Sequence, residues 1–218
     1  MITVHYLEKS RAHRVAWLLE ELGVEYDLKV YKRGPDMLAP AELRKIHPLG
    51  KSPVIQDGDL VLAETGAIVE YLLERYGPKG LRPEPGTAVW VSYLYFMHSS
   101  EGSVMPLLTN RLVYSRMGQL APALIRPIAR AIGKQMDDRL VAPALPGLFD
   151  LWARALSQTG WFAGDFSAAD VMMSFPVQAA VARTNAAQGR PALAEFVKRI
   201  EARPAYQRAQ EKGAFELL

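Results

Sequence analysis

The stretch HPLGKSPVI, residues 47 to 55, sets Gly50, Lys51 and Ser52 in the order in which a phosphate-binding loop ends. Such a loop also needs a glycine five residues before Gly50 and a helix directly after the serine, so that backbone N–H groups converge on phosphate. Position 45 is Lys45, Pro53 has no N–H, and Val54-Ile55 begin a β-branched run leading to the hairpin signal Gln56-Asp57-Gly58-Asp59. The phosphate reading therefore fails, and the stretch reads as a loop that enters a strand. Zero Cys in 218 residues leaves no disulfide, thiolate metal site or protein-borne thiol, so any sulfur chemistry has to come from a ligand. The four His residues, at 5, 13, 47 and 98, have no metal-ligand spacing, and no metal site is expected.

Bulk properties narrow the partners. A formal charge of +3 and a pI near 9.1 mildly favour small anionic ligands, but no Lys/Arg run interleaves with aromatics as a nucleic-acid groove requires. No stretch approaches the ~18 uninterrupted apolar residues of a membrane span. The N-terminal MITVHYLEKS has no basic region followed by an apolar run, so the cytoplasm is the expected location.

The elements that must position any chemistry fall into two grammars. Ile2 to Leu7 is a β-rich run, and Val15, Leu18, Leu19 and Leu22 repeat at helical spacing before Gly23, predicting a helix over about 11 to 22. VEYDLKVY, 24 to 31, is a second strand, parallel to the first because only a helix separates them. A looser segment with Pro35, Pro40 and Pro48 precedes two strands joined antiparallel at Asp57-Gly58. A helix carrying Ile68, Val69, Leu72, Leu73 and Tyr76 then runs from Thr65 to Gly77-Pro78. Pro78 to Gly86 reads as a linker, after which the periodicity is helical throughout.

Residues 88 to 116 predict a long helix that Pro106 kinks; Ile125, Ile128, Ala129, Ile132 and Met136 predict a second, and Leu145, Leu148, Trp152 and Leu156 a third. FSAADVMM is a capping box of Ser167 and Asp170 that opens a helix apolar on nearly every side, which should be central. ALAEFVKRIEAR and AYQRAQEK are amphipathic and should pack outside it.

Three motifs in this order, SRAHRVAWLLEELGVEY (10 to 26), HPLGKSPVIQDGDLVLAETGAIVEYL (47 to 72) and FAGDFSAADVMM (162 to 173), are similar to the cytosolic glutathione transferases over essentially the whole chain, of the serine type or a related bacterial class. The resemblance implies an α/β thioredoxin-like N-terminal domain over 1 to 77 that binds glutathione, a linker over 78 to 86, and an all-α domain over 87 to 218 that contributes the electrophile pocket. It implies glutathione as co-substrate, no permanently bound cofactor, a small hydrophobic electrophile or a peroxide as second substrate, and a two-fold homodimer.

The resemblance also assigns candidate residues. Pro53 matches a proline that is cis in the family, which turns the backbone of Ser52 toward the ligand, and the cysteinyl unit of glutathione can then pair with Ser52 like an added strand. Lys51 is placed to meet a ligand carboxylate as a point charge. Glu64 would take the γ-glutamyl amine, and Thr65, at a helix N-terminus where the family more often has Ser, would take the α-carboxylate.

For the thiolate-stabilising donor, counting back from Val15 matches Lys9 to some serine and cysteine classes and Ser10 to others. Ser10 is the leading candidate, with Arg11 beside it as an electrostatic helper; Tyr6 is an alternative, and helix N–H groups alone a third. The electrophile pocket is expected around His98, Ser99, Glu101, Gly102 and Met105. There the small polar run HSSEGS fits either a wide, wet cleft or a helix irregularity ahead of Pro106. The activity implied is conjugation of glutathione, or peroxide or disulfide reduction. A non-catalytic ligand-binding or dimerisation module is the alternative reading.

Overall fold

A computed structural model describes residues 1–34, 38–77 and 80–213. The first strand, β1 (Ile2–Leu7), enters α1 (His13–Leu22), which stops at Gly23 in the left-handed conformation (φ 68°) that glycine adopts without steric cost. The chain returns as β2 (Tyr26–Tyr31), parallel to β1 from Ile2↔Tyr26 to Leu7↔Tyr31, as a βαβ crossover demands. A short helix, α2 (Ala41–Ile46), follows Pro40 and buries only Leu43. The looser segment expected here thus contains a helix too short to show a period, and Pro35 lies outside the described residues.

Strands β3 (Val54–Asp57) and β4 (Leu60–Ala63) form the hairpin about Gly58, and α3 (Thr65–Tyr76) follows. The sheet order is β2-β1-β3-β4, with β3 antiparallel to both neighbours. This is the thioredoxin-like half, and helices make up the rest.

The long helix predicted from residue 88 divides into α4 (Ala88–Ser99) and α5 (Met105–Leu120), joined by a π-helical stretch, Ser100–Val104. Pro106 has no N–H for the carbonyl of Gly102, four residues back, and the wider turn re-routes the ladder around that gap. Of the two readings of HSSEGS, the structure has the helix irregularity. Next comes α6 (Arg126–Met136), which packs closely on α5: a Cβ added at Gly133 would meet the Tyr114 carbonyl oxygen at 2.3 Å. Its apolar row is not buried by the chain, since Ile128 is 62% exposed and Ile132 47%.

Then follow α7 (Leu145–Thr159), α8 (Ala168–Arg183), α9 (Pro191–Glu201) and α10 (Pro204–Gly213). Helix α8 is buried along most of its length, as an all-round apolar helix must be. It begins with the expected box: the Ser167 N–H donates to Asp170 Oδ2 at 2.8 Å, and the Asp170 carboxylate also receives the Phe162 N–H at 2.8 Å.

Helix α10 lies against α1, where Tyr206 meets Trp17 edge-on with centroids 5.1 Å apart. Beside them Arg203 forks onto Glu21 at 2.6 and 2.9 Å. The final helix therefore ties the helical half back to the α/β half. No helix among the described residues is long and apolar enough to cross a membrane.

Candidate functional site

A cleft of about 480 Å³ opens where the end of β1 and the loop before β3 face α5 and α8. Its α/β wall is a chain of hydroxyls. Ser10 lies between β1 and α1, and its Oγ donates to Ser52 Oγ at 3.1 Å; Ser52 Oγ donates to the His5 carbonyl at 2.9 Å and accepts the Leu7 N–H at 3.1 Å. The Ala12 N–H points at Ser10 Oγ from 3.4 Å. The Ser52–Pro53 peptide is cis, and Ser52 stands just outside the ladder, whose last rungs are His5↔Val54 and Val54↔Ala63.

On the same wall, Glu64 holds φ 72° and ψ 118°, a left-handed backbone that a non-glycine residue adopts only when its surroundings enforce it. Thr65, the first residue of α3, is buried, and its Oγ1 accepts from Arg14 Nη2 at 3.4 Å. With that lone pair occupied, the Thr65 hydroxyl keeps its proton for a ligand oxygen, beside the N–H groups of the helix start.

Arg14 is the buried charge behind the cleft that the sequence reading missed. It sits on the apolar stripe of α1 beside Val15 and Leu18 and is fully buried. A charge on such a stripe is the signal that marks it. Its guanidinium donates to Glu101 Oε1, to the Met172 carbonyl at 2.9 Å and to Ser100 Oγ at 3.3 Å.

The Met172 carbonyl is available because Pro176, four residues on within α8, has no N–H to give it. Ser100 Oγ donates to the same carbonyl at 2.8 Å. Arg11 Nη1 binds the other oxygen of Glu101. Burial opposes the charge on Glu101, but Arg14 and then Arg11 outweigh it and hold its carboxyl below the ordinary value. Burial holds Arg14 below its ordinary value, and Glu101 offsets only part of that effect.

Of the candidate residues, Ser10, Arg11, Lys51, Ser52, Pro53, Glu64, Thr65, Glu101 and Met105 line this one cleft. Others do not. Tyr6 is 3% exposed, its phenol oxygen accepts the Lys9 N–H at 3.3 Å beneath the loop, and it is absent from the cleft lining. His98 and Gly102 are also off the lining and exposed. Glu101 and Met105, four residues apart, share the inward face, whereas His98 and Gly102, also four apart, share an outward one. Ser99 is half-buried and likewise off the cleft. Facing them, α5 and α8 contribute the apolar side chains Leu108, Leu112, Phe175 and Ala179.

The family model for the glutathione S-transferase N-terminal domain matches residues 1–74. The chain is similar to glutathione S-transferase 1 of Saccharomyces cerevisiae, with 32% identity over 223 residues covering 98% of this chain and 95% of the relative. It is also similar to glutathione S-transferase 3 of Schizosaccharomyces pombe, with 34% identity over 97% of this chain and 88% of the relative. Among solved structures, a glutathione S-transferase from Actinobacillus pleuropneumoniae superposes with a TM-score of 0.77 at 35% identity, covering 100% of this chain and 94% of the other. Over its full length, and with a cleft built on the residues its motifs singled out, the chain belongs to the glutathione S-transferase family.

Proposed function

We propose that this glutathione transferase binds glutathione along the α/β wall of the cleft and uses its thiolate on a second substrate held against α5 and α8. The observation that carries the reading is the convergence of Ser10, the cis Ser52–Pro53 unit and Glu64-Thr65 on one cleft facing the helical half. In this reading the cysteinyl backbone pairs with Ser52 beyond the last rung of the ladder, so main-chain bonds provide recognition. The γ-glutamyl carboxylate meets the Thr65 hydroxyl and the start of α3, its ammonium meets Glu64, and Lys51 meets the other carboxylate.

The thiol then lies at Ser10. A free thiol with pKa ~8.5 is mostly protonated at neutral pH, so a hydroxyl donor and the N-terminal dipole of α1 raise the thiolate fraction. Arg11, engaged by Glu101, adds positive potential nearby. The division of labour follows the expected boundaries, with residues 1–77 binding glutathione, 78–86 linking, and 87–218 supplying the second-substrate wall. A two-fold homodimer and a cytoplasmic location complete the proposal.

The test is a panel of a chloronitrobenzene, cumyl hydroperoxide and a mixed disulfide, each with and without glutathione. Glutathione-dependent turnover of at least one member above the uncatalysed rate is expected. Glutathione binding without any turnover would instead assign a ligand-carrying module, and neither binding nor turnover would overturn the site altogether.

A further inference from the structure

From Ala168 to Ala180, every residue of α8 is buried except Ala179, which is half-buried. At that point two cavities meet. Ala179 lines both the cleft and an adjoining cavity of about 460 Å³, and so do Leu108 and Leu112 of α5. Arg183, one turn further along α8, also lines both. One turn before Ala179, Phe175 belongs to the cleft alone; on α5, Met105 and Thr109 likewise face only the cleft, whereas Tyr114 and Ser115 face only the second cavity. Leu108, Leu112 and Ala179 therefore frame a passage between the two helices, with a minimal side chain on the α8 side.

The second cavity is walled on its outer side by α6. Two of the cations on its lining already have carboxylate partners: Arg111 faces Asp137 at 3.8 Å, and Lys134 is bound by Asp138. Arg130 lays the methylenes of its stem on Gly118, where an added Cβ would meet its Cγ at 2.2 Å, and such stems present apolar surface beneath a charged head. The passage itself is apolar, and Leu108 and Leu112 are only half-buried. Close packing would explain an alanine pressed between two helices, but such an alanine is buried, whereas Ala179 opens on a gap. Apolar surface of this kind gains by leaving water, and a second substrate extending from the cleft is the group placed to cover it.

We propose that the second substrate is an electrophile carrying a long unbranched apolar tail, which passes Ala179 between α5 and α8 into the second cavity, so that Ala179 sets the length of chain accepted. This rests on the glutathione reading above. The thiol end of the cleft is at Ser10 and Arg11, and Arg11 is tied to Glu101 just before α5. Met105 and Leu112 are seven residues apart, about 10 Å at 1.5 Å per residue, which is the reach a tail needs before it meets the passage. Shorter groups stay within the cleft. At the head, the thiol proton leaves to solvent, the sulfur bonds to the electrophilic carbon and the leaving group departs with its bonding pair; the tail takes no part in these bond changes.

The test is calorimetric titration of the full chain with S-methyl-, S-butyl-, S-octyl- and S-decylglutathione, with unmodified glutathione as the check on an intact site. Wild type is compared with Ala179→Phe, which fills the passage from α8, and with Leu112→Phe, which narrows it from α5 and serves if the first variant does not fold. Each methylene taken out of water adds up to about fourfold in affinity, so wild type is expected to bind the decyl compound at least about tenfold more tightly than the butyl one. In the variants glutathione and the butyl compound should bind as in wild type, while the decyl advantage falls toward unity. Equal affinity for butyl and decyl compounds in the wild type, or an undiminished decyl advantage in a folded variant, overturns this inference while leaving the glutathione site standing. Failure of glutathione and every conjugate to bind the wild type overturns the glutathione reading and this one together.

Discussion

Ser10 Oγ and Ser52 Oγ, brought from opposite sides of the cleft wall, are 3.1 Å apart, with Ser10 donating. Ser52 is itself fixed by the His5 carbonyl and the Leu7 N–H, so the Ser10 proton can swing to an incoming sulfur without disturbing the rest of the chain. Ser10→Ala should raise the apparent thiol pKa of bound glutathione and slow turnover at neutral pH, with each pKa unit worth about 1.4 kcal/mol. The loss should narrow as pH rises, because solvent hydroxide then supplies the thiolate. Tyr6→Phe, which alters a phenol off the cleft, should leave the profile unmoved. Thiolate absorbance against pH checks both; a shift in Tyr6→Phe without one in Ser10→Ala would reassign the donor.

Glutathione should stabilise the fold by mass action, since the site exists only in the native state. At about a hundred times its Kd the gain is ~2.7 kcal/mol. Glu64→Ala should weaken binding by removing the counter-charge to the ligand ammonium. Thermal scans and titration calorimetry on the same preparations decide it, and an unchanged Kd in the variant would free Glu64 of that role.

Breaking the Arg14–Glu101 pair from one side should cost far more than removing it whole. Arg14→Met leaves the Glu101 carboxylate with Arg11 alone and takes from the Met172 carbonyl one of its two side-chain donors. A loss of about 1–3 kcal/mol is expected, because the carboxylate keeps Arg11 while it and the Met172 carbonyl each lose a buried donor. The double variant Arg14→Met/Glu101→Met also removes the half-compensated carboxylate and should recover part of that loss. Urea denaturation of both variants checks this, and strictly additive losses would show that the two side chains act independently.

Asp170 should prove structural. Its carboxylate takes the N–H groups of Phe162 and Ser167 and the Ser167 hydroxyl, so Asp170→Ala strands buried donors and should cost about 2–4 kcal/mol, more than a simple cap. Specific activity of the folded fraction should be nearly unchanged.

Burial raises the Asp170 carboxyl to about 7, although its hydrogen bonds pull the other way. A folded-state pKa above the unfolded one gives stability that is full below about pH 4 and lost as pH rises through about 7. The stability of wild type relative to Asp170→Asn should therefore fall across that window. A rise instead would mean that the carboxylate is ionised in the core.

The sequence by itself determined whatever is set within a few residues. The β-rich run of Ile2–Leu7, the apolar stripe and Gly23 stop of α1, the Asp57-Gly58 hairpin and the Ser167/Asp170 box all appear where their local patterns put them. Dihedral preference, capping and one-sided apolarity act over a turn or a rung, and so they can be read one residue at a time. Ser10, Ser52 and Thr65 each stand at the end of an element, but it was the resemblance to the family, not a local pattern, that marked them as site candidates. The tertiary structure decided what depends on partners far along the chain. Helical spacing located α6 but not what would cover Ile128 and Ile132, and α2 was too short to show a period. Arg14 took its meaning only when folding brought Thr65, Glu101 and Met172 around it. A charge is tolerated in a core only where distant groups compensate it, and no local pattern specifies which groups those will be.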